Sequence, residues 1–407
     1  MTFDIDRVRA EYPALREGFV HFEGAAGTLV ARRCADAIAE VTRTAVANKT
    51  TAFRPGRRAL EIVDRARAAV ADLVGGEPGG VVFAQSATAL TYLVARTLAQ
   101  PADGPGWGPG DEVVVSRLDH DANVRPWLQV AARAGATVRW AEFDRGTGEL
   151  PVDQYRDLVT ERTRLVAVTA ASNAIGTRTE VAAIAEIAHA VGALLYVDGV
   201  HATPHVPVDV GALGADFYVT SAYKWSGPHL AACVAPVAVW EGLRPEKLVP
   251  APDEGPDRFE HGTACFELLA GVAGAVDHLA ALAGDATAAR RTQVLASMRA
   301  AQEYEAGLFA ALVDGLTEIP GVTLCPAPGF RCPTVAFRVG DQHPARTAEL
   351  LGAEGVCVFS GDNYAYEYFQ AMGLRDSGGA VRASVYHYNT DEDVARLLDG
   401  VKRVSAS

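Results

Sequence analysis

Between about residues 58 and 235, short β-rich runs alternate with helical stretches, and this alternation constrains the fold more than any other feature of the sequence. The runs VVF (81–83), EVVVS (112–116), TVRWAEF (137–143), RLVAVTA (164–170), ALLYVD (193–198) and ADFYVTS (215–221) read as strands. They are continuously apolar rather than alternating, the pattern of strands covered on both faces. Helical segments such as Ala59–Leu73 and Glu180–Ala190 lie between them; the second carries Ala183, Ile184, Ile187 and Ala188 along one face. Strands joined by helices imply an α/β fold with a mostly parallel sheet and helices on both sides. Ligands in such sheets bind beyond the carboxyl ends of the strands, so the residues just after each strand matter most.

The rest of the chain is organised differently. PADGPGWGPG (101–110) is a Pro/Gly loop, RPEKLVPAPDEGPDRFEHGT (244–263) is irregular, and an alanine-rich helical region runs from 266 to about 318. VTLCP, TVAFRV, VCVFSG and VRASVYHY then read as strands, with helices at 344–353 and 391–403, forming a smaller α+β domain. At 407 residues the length suits one large and one smaller domain, and 49% hydrophobic with 21% charged residues excludes extended disorder. The net charge of -13 repels phosphate backbones and argues against a nucleic-acid partner. No apolar run approaches a bilayer's span and the N-terminus lacks a signal-like stretch, so no membrane partner and a cytoplasmic location are expected. The six cysteines (34, 233, 265, 325, 332 and 357) form no CxxC pair and read as reduced thiols used as small apolar residues.

Five strand ends carry chemistry. Lys224 follows ADFYVTS in SAYKWSGPH; a lysine is ordinarily a surface charge, but one desolvated at this edge has a lowered pKa and becomes an amine nucleophile able to form a Schiff base. Asp198 ends ALLYVD. Alone it reads as a cap or a solvated carboxylate; beside such a lysine it suits the ring nitrogen of pyridoxal phosphate (PLP), whose protonated pyridinium stabilises a carbanion. Ser86, Ala87 and Thr88 open a helix after VVFAQ, where backbone N–H groups and hydroxyls make an anion site or an ordinary N-cap. His120, after EVVVS, can stack on a pyridine ring and move protons, or simply bond to the loop backbone. Asn173, after RLVAVTA, can donate to a phenolic oxygen or serve as a turn residue before Gly176. Each signal is modest by itself; five in this chain order form a constellation.

That order and wording resemble the class V aminotransferase family of fold-type I PLP enzymes, in its cysteine-desulfurase-like branch. DHDANVRPW resembles the family's histidine motif, VDGVHATPH its aspartate motif and SAYKWSGPH its lysine motif; RFEHGT (258–263) and VRASVYHYNTDEDV (381–394) resemble two further blocks. The likeness runs from FEGAAGT (22–28) to the last helix. It implies an N-terminal segment (1–20) packing with the small domain, a large PLP-binding domain (21–275) with a seven-stranded mostly parallel sheet, and a long linking helix with a small C-terminal α+β domain (276–407). It also implies a homodimer with active sites at the subunit interface. By resemblance, Lys224 is the Schiff-base lysine, Asp198 meets the ring nitrogen, His120 stacks, and Asn173 meets the phenolic oxygen with His201 beside it. Thr88, Ser221 and Tyr223 match phosphate-binding positions, Thr263 reaches the neighbouring subunit's phosphate, and Arg382 clamps the substrate carboxylate. A metal site on Asp198, His201 and His205 is the competing reading, but no further ligand motif accompanies them and no metal is expected.

A desulfurase of this branch needs a thiolate on a mobile loop. In FSGDNYAYEYF the aligned place is Tyr364; Cys357 lies seven residues earlier in an apolar strand, and Cys265 and Cys332 lie near the expected cleft but out of position. The expected activity is therefore C–S β-elimination on cysteine or a cysteine S-conjugate, a lyase reaction without a catalytic cysteine. The alternatives are an aminotransferase, epimerase or decarboxylase/oxidative deaminase on an amino acid, a cysteine desulfurase, and a non-catalytic PLP-fold binding protein. Tyr364, Tyr366, Arg54, Arg57 and Arg331 are candidates for the entrance.

Overall fold

After a short first strand, β1 (Val20–His21), the chain lays down seven strands that pair into one sheet in the computed structural model, which describes residues 3–283 and 286–406. They are β2 (Val81–Ala84), β3 (Glu112–Ser116), β4 (Thr137–Ala141), β5 (Thr163–Thr169), β6 (Leu194–Asp198), β7 (Phe217–Ser221) and β8 (Ala231–Val234), in spatial order β2-β8-β7-β6-β5-β3-β4. From β7 to β4 all neighbours are parallel; β8 runs antiparallel to both β7 and β2. Six of the seven correspond to the apolar runs of the sequence. β8, the run AACV, is too short and alanine-rich to stand out. It follows β7 after a connection shorter than a parallel crossover needs, hence its reversed direction.

Residue alternation along the strands explains the continuous apolar pattern. In β3, Val113 and Val115 join one core layer, under the Ala87–Ala99 and Arg125–Ala134 helices, while Val114 joins the opposite layer, under the Arg54–Val74 and Phe266–Ala280 helices. β6 repeats this, with Leu195 and Val197 on one side and Tyr196 on the other. A strand buried on both faces cannot carry polar residues at every second position.

The helical region 266–318 resolves into two helices, Phe266–Ala280 and Arg290–Glu318; residues 284–285 lie outside the described part. The second helix leads to a four-stranded antiparallel sheet of β9 (Val322–Leu324), β10 (Thr334–Val339), β12 (Phe359–Gly361) and β13 (Ala380–Ser384), in order β12-β13-β10-β9. Leu308, Leu312 and Leu316 pack with Phe337, Val381, Leu397 and Val401 in a separate core. β11 (Val356–Cys357) pairs in parallel with β1 in a separate two-stranded sheet, and Arg9 donates to the Tyr388 carbonyl and to Asp393, so the N-terminal stretch is tied to the C-terminal part of the chain. No helix among the described residues is long and apolar enough to cross a membrane.

One glycine fixes how β6 ends. A Cβ on Gly199, the residue after Asp198, would lie 1.9 Å from Cζ of the buried Tyr218 ring on β7. Gly199→Ala therefore forces two neighbouring strand ends apart. A loss of about 1–3 kcal/mol in unfolding free energy is expected, measured by urea titration; an unchanged midpoint would show that the Tyr218 ring yields freely.

Candidate active site

The carboxyl ends of the parallel strands converge on one cleft, and the sequence candidates arrive there strand by strand. Ser86 follows β2 as the N-cap of the Ala87–Ala99 helix, its Oγ accepting from the Ala89 N–H at 3.2 Å. The helix therefore starts one residue before Thr88 and aims its free N–H groups at the cleft end of β2. His120 follows β3, Asn173 follows β5, Asp198 closes β6, and a 3-10 turn after Ser221 carries Tyr223 and Lys224. Ser86, Ala87, Thr88, His120, Asn173, Asp198, His201, Ser221, Tyr223 and Lys224 line one narrow recess. The recess shares His120, Asn173 and Lys224 with an outer cavity of about 700 Å³. Arg382, from β13, lines that outer part, together with the Phe359–Tyr364 segment. Thr263 is exposed and outside the cleft of the single chain.

Burial sets the electrostatics. Lys224 is 7% exposed and its ammonium donates to the Ala25 carbonyl of the N-terminal FEGAAGT stretch. Desolvation lowers its pKa to about 7, Arg382 adds to the lowering and Asp198 opposes it. Asp198, equally buried, is raised to about 6 by desolvation, against the Val200 N–H it accepts at 2.9 Å and the Lys224 charge. Arg382 falls to about 10, again chiefly through desolvation. His120 is lowered to about 3 by burial and then by the Lys224 and Arg382 charges, so its imidazole is neutral at pH 7. Its Nδ1 accepts from the Ala122 N–H at 3.0 Å, which leaves the ring proton on Nε2.

Two residues of the recess hold buried polar atoms without a protein hydrogen-bond partner, Asn173 Oδ1 and His201 Nδ1. A polar guest satisfies such atoms, and the remaining donors fit PLP: a helix N-terminus and hydroxyls for a phosphate, a carboxylate for a pyridinium nitrogen, and a desolvated amine for an aldehyde. His201 itself is held through Nε2 by Thr334 Oγ1 at 2.9 Å. Among the described residues no group of three His, Cys, Asp or Glu side chains is placed to hold a metal ion.

The four-stranded sheet and the loop after β12 supply what the strand ends do not. Arg382 donates to the Asn173 carbonyl at 2.8 Å, and the Asn173 amide donates to the Asn363 carbonyl at 2.7 Å. The Asp121 N–H bonds the Tyr364 carbonyl at 2.7 Å, and the Tyr364 ring stacks on His120 at 5.5 Å. Asn363 and Tyr364 both adopt positive φ, 49° and 57°, a conformation held by these bonds. Nothing in the local sequence marks this loop, since NY is not a turn pair that announces left-handed backbone. Asp121, Arg125 and Glu367 form a linked ion group at the cleft rim. Of the entrance candidates, Tyr364 lines the cavity; Arg54, Arg57, Tyr366 and Arg331 do not, Tyr366 packing against Arg125 and Arg375, and Arg331 against Phe309. None of the six cysteines lines the cleft among the described residues, and Cys332, expected near it, is buried with its thiol pushed up to about 12 by desolvation.

Comparison with known proteins agrees with this geometry. A family model described as "Aminotransferase class-V" matches residues 20–234 and 249–397. An uncharacterized protein of Mycobacterium tuberculosis is 37% identical over 399 residues, covering 98% of each chain. A cysteine desulfurase of Klebsiella pneumoniae is 32% identical over 428 residues, covering 99% of each. Among solved structures, the cysteine desulfurase CsdA of Escherichia coli superposes with a TM-score of 0.86 at 26% identity, over 99% of this chain and 98% of that one. An apo cysteine desulfurase of Thermococcus onnurineus gives 0.87 at 25% identity, over 98% of both.

Because Arg382 depresses the Lys224 ammonium, Arg382→Gln is expected to move the pH midpoint of the Lys224 amine upward. Acylation of Lys224 across pH, read by peptide mass spectrometry on cofactor-stripped protein, measures that midpoint. An unmoved midpoint would leave desolvation as the whole cause.

Proposed function

The chain belongs to the class V aminotransferase family and is a PLP-dependent enzyme acting on amino acids, and on that footing we propose that it catalyses C–S β-elimination on cysteine or a cysteine S-conjugate. The observation that carries this reading is a cleft with a tuned amine and, among the described residues of one chain, no cysteine lining it: burial brings the Lys224 pKa to about 7, and Tyr364, which the resemblance aligns with the desulfurase cysteine, lines the cavity. With no cysteine of its own chain on the cleft wall, such a site releases the sulfur as a free thiol.

In this reading Ser86, Ala87, Thr88, Ser221 and Tyr223 hold the cofactor's phosphate, Asp198 its ring nitrogen, Asn173 and His201 its phenolic oxygen, and Lys224 its aldehyde carbon. Bound PLP supplies an electron sink for the pair released when the α C–H bond breaks. Arg382 grips the substrate carboxylate; one of its N–H groups is taken by the Asn173 carbonyl and others remain for a bidentate pair. Lys224 Nζ, freed by the substrate's own amine, takes the α-proton. Held below its ordinary range by burial, the resulting ammonium is a ready proton donor to the leaving sulfur. His120 covers one face of the recess and offers its Nε2–H without itself becoming charged. Thr263, exposed in one chain, serves the phosphate of a second copy, so the working unit is a homodimer.

Incubated with cysteine conjugates, the purified protein is expected to release pyruvate, ammonia and thiol in equal amounts, while Lys224→Ala falls by at least ~10³-fold. Pyridoxamine phosphate accumulating with a keto acid would replace elimination by transamination. Borohydride is expected to fix the cofactor to a Lys224 peptide. The homodimer predicts a sedimentation mass twice 42.9 kDa; a monomer that retains full activity would remove Thr263 from the site.

A further inference from the structure

Beyond the recess, a continuous set of buried titratable side chains runs through the junction of the two domains. His205, four residues after His201, bonds through Nδ1 to Glu305 Oε2 at 2.8 Å. The other carboxylate oxygen of Glu305, which lies on the Arg290–Glu318 helix, sits 3.7 Å from His387 Nδ1. His387 Nε2 bonds the Tyr12 hydroxyl at 2.8 Å, and the same hydroxyl bonds His278 Nε2 at 2.8 Å. Every member is buried. His278 ends the series at the wall of a separate cleft of about 190 Å³, with Arg7, Glu11 and Arg33; that cleft shares no lining residue with the cofactor recess.

Hydrogen counting shows what this arrangement permits. The Tyr12 hydroxyl has one proton but three close partners, His278, His387 and Ser226, the last at 2.7 Å. It donates to one and accepts from the others, so at least one of the two imidazoles presents an N–H at Nε2. If His387 does so, its Nδ1 meets the Glu305 carboxylate either as a second N–H or against a protonated acid. A buried carboxylate between two imidazoles is stable only with a proton shared among them. Burial pushes the Glu305 carboxyl up, but the two histidines outweigh it and hold it below its ordinary value. The same contacts survive with the proton on different members, the condition for passing it along.

We propose that His201, His205, Glu305, His387, Tyr12 and His278 form a proton path linking the cofactor recess to the cleft at Arg7, Glu11 and Arg33. A proton arriving at His201 Nδ1 is matched by one leaving His278 to water in that cleft. His201 takes and gives its proton at Nδ1, its Nε2 being held by Thr334; each later member takes one proton on one side and gives one on the other, so only N–H and O–H bonds change and no charge accumulates. Two steps lack a direct hydrogen bond: His201 Nδ1 and His205 Nε2 are both buried without a protein partner, in rings 5.2 Å apart, and Glu305 Oε1 and His387 Nδ1, 3.7 Å apart, are likewise unpartnered. A bridging water or a ring turn carries the proton there. None of these residues beyond His201 lines the recess, so they act as positioning and relay groups, whatever reaction the cleft performs.

The test reads exchange of ring N–H protons with water in ¹⁵N-histidine-labelled holoenzyme by NMR, independently of turnover. Tyr12→Phe, which removes one oxygen, is expected to slow exchange at both His387 and His205 about tenfold or more. Glu305→Gln is expected to slow His205 and spare His387. Ser226→Ala removes a Tyr12 partner outside the path and is expected to slow neither. A brace between domains behaves oppositely: its loss loosens packing, lowers the melting temperature and speeds exchange at every site. Faster or unchanged exchange at both histidines in Tyr12→Phe would overturn the path, even if Glu305→Gln fails to fold.

Discussion

The arrangement depends on burying charge of both signs in one cleft. Lys224 and Asp198 are 7% exposed and Arg382 4%, and none of them makes a direct ion pair within the hydrogen-bond or salt-bridge distances described for this chain. Instead each is held by backbone: Lys224 by the Ala25 carbonyl, Asp198 by the Val200 N–H, Arg382 by the Asn173 carbonyl. Isolated buried charges are costly, and the outcome is three groups whose pKa values are pulled toward neutrality. A close lysine–aspartate pair would have fixed both as ions and left no amine ready to react. Backbone holding keeps them apart and responsive, and it requires that FEGAAGT, the strand ends and β13 meet at one place.

Much of this could be read from the chain because local pattern and tertiary burial coincide. Val113, Val114 and Val115 are apolar in succession because two core layers claim alternate residues, so β3 is visible without knowledge of its neighbours. The strand-end rule then locates Lys224, Asp198, His120 and Asn173. β8 stayed hidden because four small residues carry little β signal. Phe359–Gly361 falls in the strand run VCVFSG, whereas the turn at Asp362, Asn363 and Tyr364 was legible only as the place of a missing thiol. Its positive φ values at Asn363 and Tyr364 depend on bonds to Asn173 and Asp121, far away in sequence. The histidine path is the extreme case: Tyr12, His205, His278, Glu305 and His387 come from five separated stretches, and no spacing along the chain announces them.

The relatives named as cysteine desulfurases match this chain over nearly its whole length, and the solved ones superpose on it throughout. Over His120 stands Tyr364, 72% exposed, its ring stacked on the imidazole. Fold and cofactor chemistry are inherited together, whereas the particular reaction is set by the side chains of the site.

The left-handed pair at Asn363 and Tyr364 has a bearing on protein engineering. A side chain grafted there would ride on a turn clamped at two carbonyls, not on an arm free to swing between donor and acceptor. Converting this scaffold into a sulfur courier would thus demand releasing the Asn173 and Asp121 tethers first, with the new thiol as the second alteration.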